Sequence, residues 1–169
     1  MIYLDYTANT PPDPAVLDAF VAAEQRCIAN PNSTHIAGQQ ARAEMDRVTS
    51  SIAQHLGVQP AEIIYTSGAS EANNLAVKGI AQAARHIGRH IISTELEHSS
   101  VGASLSVLQQ QGYEIDLLRI GRDGGVDLDQ LRELLREDTI LVAVCAVDSE
   151  LGTVQPIREI AELVKLYPG

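Results

Sequence analysis

The sequence predicts an α/β protein whose mainly parallel sheet is covered by helices on both faces. Short β-branched or apolar runs alternate with longer segments of helical periodicity, which is typical of this class. Residues 140–147 are apolar almost throughout, as expected for a strand that is buried on both faces. The 169 residues, 45% of them hydrophobic and 20% charged, are enough for a domain with a real core.

Six segments have helical periodicity. They are residues 14–26, 37–56, 70–87, 99–111, 127–136 and 156–166. Gly57 follows the second helix in the usual C-terminal position, and Pro156 begins the last. In the third helix four apolar residues share one face: Ala76, Ile80, Ala83 and Ile87.

Four segments are predicted as strands, and each precedes a helix. They are residues 62–66, 90–93, 113–118 and 140–147. Strands separated by helices pair in parallel, so a parallel sheet follows. We divide the chain into an irregular and helical segment, residues 1–56, and an α/β domain, residues 57–169.

Charge and composition favour a small ligand over a macromolecular anion. A formal net charge of −10 and a pI near 4.8 disfavour nucleic acid and anionic lipid as partners. The sequence has no secretory leader and no apolar run long enough to span a bilayer, so we expect a cytoplasmic protein. Cys27 and Cys145 are far apart and form no CxxC pair, so we expect neither a disulfide framework nor a metal site.

The stretch Thr66-Ser67-Gly68-Ala69-Ser70 connects a predicted strand to a predicted helix. Glycine permits a tight turn, and unpaired N–H groups at a helix start can bind phosphate together with the Ser70 hydroxyl. Plain helix capping explains the same residues, so both interpretations stay open. The stretch matches neither a P-loop nor a dinucleotide-binding glycine pattern. This argues against a nucleoside triphosphate or a dinucleotide as the ligand.

Five separated blocks, in order, resemble the class V pyridoxal-phosphate enzymes, and among these the cysteine desulfurases. The blocks are Tyr3-Leu4-Asp5-Tyr6-Thr7-Ala8, Asn30-Pro31 with Ser33 and His35, residues 66–76, His90-Ile91-Ile92 with Glu97-His98, and residues 150–157. The resemblance implies the first half of a fold-type-I large domain, so residues 57–169 would be a partial cofactor-binding domain.

The resemblance also implies roles for particular residues. Gly68, Ala69 and Ser70 would hold the 5′-phosphate of pyridoxal 5′-phosphate, and His98 would stack on its ring and take part in proton transfer. Ser149 occupies the position that usually donates to the cofactor's phenolic oxygen. His35 either lines the substrate side or forms a structural hydrogen bond. We expect the remaining histidines, His55, His86 and His90, at the surface or at helix ends.

Three departures from the family pattern bear on function. Asn9, Asn32 and Ser149 replace residues common in the family. The chain stops at Gly169, before the segments expected to carry the Schiff-base lysine and the sulfur-accepting cysteine. Neither Lys78, expected to point away from the strand edge, nor Lys165 matches the lysine motif. Cys145, predicted inside an apolar strand, and Cys27 in a helix are poor persulfide carriers.

The resemblance therefore predicts part of an enzyme that removes sulfur from L-cysteine, giving alanine and an enzyme persulfide, as in sulfur metabolism and iron–sulfur cluster assembly. By itself this chain would be inactive and would bind the cofactor only when the missing half is supplied. We expect it to associate with a complementary C-terminal polypeptide or with a second copy of itself. The alternatives are another class V enzyme such as selenocysteine lyase, or a non-catalytic remnant or binding module.

Overall fold

The structure, a computed structural model, describes residues 2–167. The chain forms two compact units, Met1–Tyr65 and Thr66–Gly169. The division at residues 56 and 57 made from the sequence stays a prediction. Within the described range, no helix combines the length and apolarity needed to cross a membrane.

The first unit contains two helices whose ends follow local chemistry. Helix α1 spans Pro14–Arg26, as predicted, and begins where the Asp13 carboxylate accepts a hydrogen bond from Ala15 N at 2.8 Å. Helix α2 spans Ile36–Leu56 and is capped by His35, whose Nδ1 accepts from Gly38 N at 3.1 Å. His35 therefore has the structural hydrogen bond that was one of its two predicted roles. Gly57, at φ 69°, ends α2 as predicted.

The strand predicted at residues 62–66 does not form. A 3₁₀ turn covers Pro60–Glu62, and residues 63–66 are irregular. A strand needs a neighbour to satisfy its backbone groups, and no strand in the described part of the chain pairs with this segment. The β-branched composition was therefore not sufficient to make a strand here.

The second unit contains a three-stranded parallel sheet in the order β2-β1-β3. The strands are β1 (His90–Thr94), β2 (Glu114–Leu118) and β3 (Thr139–Val142). The sheet is parallel as predicted, but it has three strands instead of four. Strand β3 is also shorter than the predicted 140–147, because after Val142 the chain leaves the sheet and Val147 pairs with Val154 in an antiparallel bridge.

Helices cover both faces of this sheet, which confirms the predicted layering. They are α3 (Ala69–Ala83), α4 (Ser99–Gln110), α5 (Leu128–Leu134) and α6 (Ile157–Val164). Consecutive residues of β1 point to opposite faces. Ile91 packs in a cluster with α3 and α4, and Ile92 packs with α5 and α6; both side chains are fully buried.

Helix α3 buries a different stripe from the apolar face expected for it. Its buried residues are Val77 and Ala81, whereas the expected face is exposed: Ala76, Ile80, Ala83 and Ile87. The helix also ends at Ala83, where a turn replaces the last predicted helical residues. Spacing alone could not choose between two apolar stripes, because α3 is rich in alanine.

A polar cluster joins the amino ends of the three strands, and we call it the amino edge: His90, Glu114, Asp116, Arg136, Asp138 and Thr139. His90 is fully buried, so the predicted surface position is wrong. Its Nδ1 lies 2.7 Å from Thr139 Oγ1 and its Nε2 lies 3.1 Å from Asp116 Oδ2. Arg136 pairs with Glu114 and, at 2.7 Å, with Asp138. His90 can be buried because the strands on both sides of it supply polar partners for its ring.

Candidate functional site

Three segments meet at the opposite end of the sheet, which we call the carboxyl edge: residues 66–74, 95–100 and 143–150. Asn73 Nδ2 in α3 donates to Ser100 Oγ in α4 at 2.9 Å. Ser93 Oγ near the end of β1 donates to the Ala143 carbonyl after β3 at 2.9 Å. These bonds bring the start of α3, the start of α4 and the exit of β3 together. Ligands of open α/β sheets bind at this kind of edge.

The start of α3 presents a row of free backbone donors. The helical ladder begins with the bond from Ala72 N to Gly68 O at 3.1 Å. Within the described residues, the N–H groups of Ala69, Ser70 and Glu71 have no hydrogen-bond acceptor. A Cβ added at Gly68 would have nothing within 4 Å. The predicted phosphate turn therefore has three unpaired donors beside open space, with the positive end of the helix dipole behind them.

Gly68 itself has an extended backbone, with φ 164° and ψ 178°. Any residue adopts this conformation, so the tight turn that was expected to need glycine is not what places glycine here. The absent side chain matters only for the space that it leaves free.

A carboxylate lies beside these donors. Glu71 Oε2 accepts from Ser67 N at 2.6 Å and from Ser67 Oγ at 2.7 Å. The backbone hydrogen bond and then the hydroxyl bond from Ser67 lower the pKa of Glu71 below its ordinary value. Glu71 is therefore ionised at neutral pH, and it opposes the binding of a second anion at the helix start.

His98 caps helix α4, and its imidazole is held by its own helix. Nδ1 accepts from Ser100 N at 3.2 Å and lies 2.8 Å from Ser100 Oγ. Among the described residues Nε2 has no partner, and His98 is exposed. Since Ser100 also bonds Asn73, the predicted stacking histidine and the predicted phosphate turn are neighbours in space, as their roles require.

Glu97, beside His98, links the end of β1 to the segment that follows β3. Its Oε1 accepts from Thr94 Oγ1 at 3.1 Å and from Cys145 N at 2.7 Å. Cys145 lies beyond the end of β3 and is partly exposed, so the prediction that it sits inside an apolar strand is wrong. Its thiol lies 2.9 Å from the Val147 carbonyl, and the thiol donates this bond.

Ser149 belongs to the third segment of this edge, residues 143–150. It occupies the tip of the loop between Val147 and Val154, and it is exposed. Asp148, which is buried, holds that loop by accepting from Glu150 N at 2.9 Å and Leu151 N at 2.5 Å. No hydrogen bond within residues 2–167 joins Ser149 to Ser70 or His98.

The two lysines are engaged elsewhere. Lys78 Nζ donates to Asn74 Oδ1 at 2.5 Å, one turn nearer the start of α3, instead of pointing away from this edge as expected. Lys165 caps the end of α6. In the described range, no group of three or more His, Cys, Asp or Glu side chains could hold a metal ion. A cavity of about 350 Å³ lies between α4 and β2, and none of the predicted site residues lines it.

Sequence reasoning missed three residues of this edge: Asn73, Ser100 and Glu97. Asn73 and Glu97 lie inside blocks that carried the family resemblance, but without an assigned role, and Ser100 lies two residues beyond the block that ends at His98. Ser100 follows a histidine at a helix start, which is a local signal for capping. Its bond to Asn73 crosses 27 residues of sequence and has no local signal.

Comparison with known proteins defines the family. The family model for aminotransferase class-V matches residues 2–168. The chain belongs to the aminotransferase class-V family. Among relatives, the chain is 42% identical to the mitosomal cysteine desulfurase of Encephalitozoon cuniculi over 167 residues, and 42% identical to the mitochondrial cysteine desulfurase of Arabidopsis thaliana over 165 residues. The solved structure of a NifS-like protein superposes with a TM-score of 0.93 at 34% identity and covers 99% of this chain.

The class-V match is to part of each relative. Each of the two desulfurases covers 97% of this chain, but this chain spans only 39% and 36% of their lengths. It spans 46% of the NifS-like chain. The three-stranded sheet with its helices is therefore similar to one portion of a larger fold.

Class-V membership implies dependence on pyridoxal phosphate, so the carboxyl edge can be tested for fit to that group. A phosphate needs several converging donors, and the start of α3 offers three N–H groups and the Ser70 hydroxyl. A pyridine ring needs a flat partner, and the His98 imidazole lies next to that helix start. Glu71 opposes the phosphate by charge but leaves those donors free. The residues of this chain fit the group.

Proposed function

We propose that this chain forms part of a pyridoxal-phosphate-dependent enzyme of the cysteine desulfurase type. In the proposed reaction the C–S bond of L-cysteine breaks, an S–S bond forms on an enzyme thiol, and the substrate carbon gains a hydrogen to give alanine. The observation that supports this most is the row of unpaired donors at Ala69, Ser70 and Glu71 beside His98. When bound, pyridoxal phosphate supplies the electron sink for chemistry at the amino-acid α carbon.

In this proposal the start of α3 binds the phosphate. Charge-assisted hydrogen bonds from backbone N–H groups are stronger than neutral ones, and these donors are already oriented by the helix. Ser70 adds a hydroxyl donor. Because Glu71 is fixed by Ser67, its carboxylate stays on the Ser67 side of the turn.

His98 contacts the ring and orients the substrate end in this proposal. Its imidazole cannot swing freely, because Ser100 holds Nδ1 through both the backbone N–H and the hydroxyl. Glu97 keeps the His98 turn close to the exit of β3. Ser149, at the exposed tip of that exit loop, would donate to the cofactor's phenolic oxygen.

We assign the cofactor-binding lysine and the sulfur-accepting cysteine to the remaining part of the protein. Lys78 is bonded to Asn74, and Lys165 ends α6. Borohydride reduction of the chain mixed with pyridoxal phosphate should therefore leave both lysines unmodified. One equivalent of reduced adduct mapped to either lysine would contradict this assignment.

We further propose that the remaining part binds along the free side of β3. Strand β1 has neighbours on both sides, whereas no described strand pairs with the outer side of β3. An apolar groove of about 250 Å³ runs along it, lined by Ile80, Leu135, Thr139, Ile140, Leu141, Val142, Val164 and Tyr167. Natural sheet edges are normally protected by charge or proline, and this one is not. This chain spans 36% of the Arabidopsis thaliana desulfurase and 46% of the NifS-like chain, and the length that both have beyond it supports a further segment at this edge.

Sedimentation at low micromolar concentration tests the association. The chain alone should self-associate, and a stable 1:1 complex should form when the complementary portion is added. A monodisperse monomer that unfolds cooperatively and ignores that portion would contradict the proposal. A second copy bound at the same edge would appear as a dimer that the complementary portion does not dissociate.

Equilibrium binding to this chain completed by its complementary portion tests the cofactor site. Pyridoxal 5′-phosphate should bind more tightly than pyridoxal, which lacks the phosphate. Ser70→Glu should abolish that preference, because it places a like charge at the phosphate. Ser106→Glu, at another exposed serine near the middle of α4, is the matched control. If Ser70→Glu and the parent bind pyridoxal 5′-phosphate equally well, the turn serves only as a helix cap. That result would favour the non-catalytic alternative.

A further inference from the structure

The hydrogen bonds of His98 define which of its nitrogens carries the proton. Ser100 N is a backbone donor and has no lone pair, so Nδ1, 3.2 Å away, must accept. If Nδ1 carried a hydrogen, two N–H groups would face each other. The backbone of α4 therefore disfavours the Nδ1–H form of the neutral ring.

The Ser100 hydroxyl reinforces this choice. Asn73 Nδ2 donates to Ser100 Oγ at 2.9 Å, which occupies an acceptor position of that oxygen. The hydroxyl hydrogen is then free to donate to His98 Nδ1, 2.8 Å away. Asn73 donates to Ser100, and Ser100 donates to His98, so this chain of hydrogen bonds ends at Nδ1 as an acceptor.

Burial makes this chain of hydrogen bonds stiff. Ser100 is buried, and its carbonyl accepts from Ser104 Oγ at 2.9 Å. Asn73 lies in the second turn of α3, so the orientation of His98 depends on the packing of α3 against α4. Within the described residues, Nε2 is the nitrogen of this ring that has no hydrogen-bond partner.

We propose that Ser100 and Asn73 are positioning residues that hold His98 as the neutral Nε2–H tautomer. Nε2, which has no partner among the described residues, is then a hydrogen-bond donor and not a base. Resting on the proposed function, this means that His98 Nε2 recognises an acceptor on the bound molecule, such as a carboxylate, phenolate or thiolate oxygen or sulfur. A proton can be taken up only at Nδ1, and only if the Ser100 bonds break.

Nitrogen NMR of the histidine rings in the full chain, without cofactor, tests the tautomer directly. The spectrum is recorded on the alkaline side of the range in which histidines change charge, so that it reports on the neutral ring. His98 should then show a pyrrole-type Nε2 and a pyridine-type Nδ1. A mixture of both forms like that of a free imidazole, or a pyrrole-type Nδ1, would overturn the proposal.

Two variants identify the positioning residues. Ser100→Ala should raise the Nδ1–H share of the ring about five-fold, the factor for one ordinary hydrogen bond. Asn73→Ala should change it in the same direction but by less. Ser106→Ala removes a serine of the same helix whose hydroxyl donates only to Gly102 O, so it should leave the spectrum unchanged. Thermal unfolding of each variant checks that the fold is retained.

The outcomes separate this inference from the proposed function. If the Nε2–H signature is present and depends on Ser100, while pyridoxal phosphate shows no preference over pyridoxal, only the proposed function fails. If the phosphate preference is present but the Ser100→Ala spectrum matches the parent, only the positioning inference fails.

Discussion

The two ends of the sheet differ in how their polar groups are satisfied. At the amino edge, His90, Thr139 and Arg136 are partnered within the cluster, and the ring of His90 is fully buried. At the carboxyl edge, donors at Ala69 and Ser70 and the Nε2 of His98 have no described partner. The comparison shows that the polar groups of the amino edge are satisfied within the protein, whereas those of the carboxyl edge keep the free hydrogen-bonding capacity that the proposed cofactor site requires.

The largest effect on stability is expected where the chain enters the amino edge. A Cβ at Gly88 would lie 2.1 Å from the Asp138 carbonyl oxygen, which also accepts from His90 N. Backbone cannot yield as a flexible side chain does, so Gly88→Ala should lower the free energy of unfolding by about 3 kcal/mol. Denaturant unfolding measures this. Gly79→Ala is the control, because a Cβ at this position in α3 would have nothing within 4 Å; it should be neutral or stabilise the protein by up to about 1 kcal/mol. Equal losses of unfolding free energy in both variants would show that the contact between Gly88 and Asp138 is not close.

Removing the buried histidine should have the next largest effect. His90→Ala leaves Thr139 Oγ1 without its ring partner and opens a cavity between three strands. We expect a loss of about 2 kcal/mol in the free energy of unfolding. His86→Ala, at an exposed ring beyond the end of α3, should change it by less than about 0.5 kcal/mol. If both variants are equally stable, the amino edge does not fix the strands.

A smaller effect should appear as a pH dependence. The hydrogen bond from Arg136 lowers the pKa of Glu114 from its ordinary value of 4.5. A carboxylate with a lowered folded pKa adds stability above the unfolded pKa, and this stability is lost as the pH falls through the folded pKa. Glu114→Gln should therefore flatten the fall in stability below pH 4.5, while Glu133→Gln, which has no ion pair in the described range, should leave the curve unchanged. If Glu114→Gln loses stability below pH 4.5 as steeply as the parent, the ion pair between Glu114 and Arg136 does not contribute to stability.

The smallest effects on stability are expected at the carboxyl edge. Ser70 and Ser149 are exposed, and neither hydroxyl has a recorded bond. Ser70→Ala and Ser149→Ala should each change the free energy of unfolding by less than about 0.5 kcal/mol. Losses comparable to that of His90→Ala would mean that this edge is structural too, and the comparison of the two edges would no longer hold.

The sequence predicted features that depend on neighbouring residues. Helix α1 and the glycine at the end of α2 follow from Asp13, Pro14 and Gly57, whose effects act within a turn. The class-V blocks likewise predicted that residues 68–70 and His98 lie close together in space, although the roles of these residues stay predictions. They did so because each block is a local pattern, and the fold brings the blocks together.

Features that depend on distant partners were not predictable in this way. Residues 62–66 have the composition of a strand but no neighbouring strand, and the apolar run after Val142 leaves the sheet. His90 has no local signal for burial, since Thr139 and Asp116 come from other strands. The role of Ser100 was missed for the same reason, because Asn73 lies in another helix.

A residue-resolved NMR titration with pyridoxal 5′-phosphate, carried out on this chain completed by its complementary portion, tests the central claim most directly. We predict that the amide signals of Ala69, Ser70 and Glu71 and the ring signals of His98 shift together along one saturating curve. The signals of His90 and Thr139 at the amino edge should stay in place. Shifts that are centred on the amino edge, or that are scattered over the surface without saturating, would contradict the assignment of the carboxyl edge as the cofactor site.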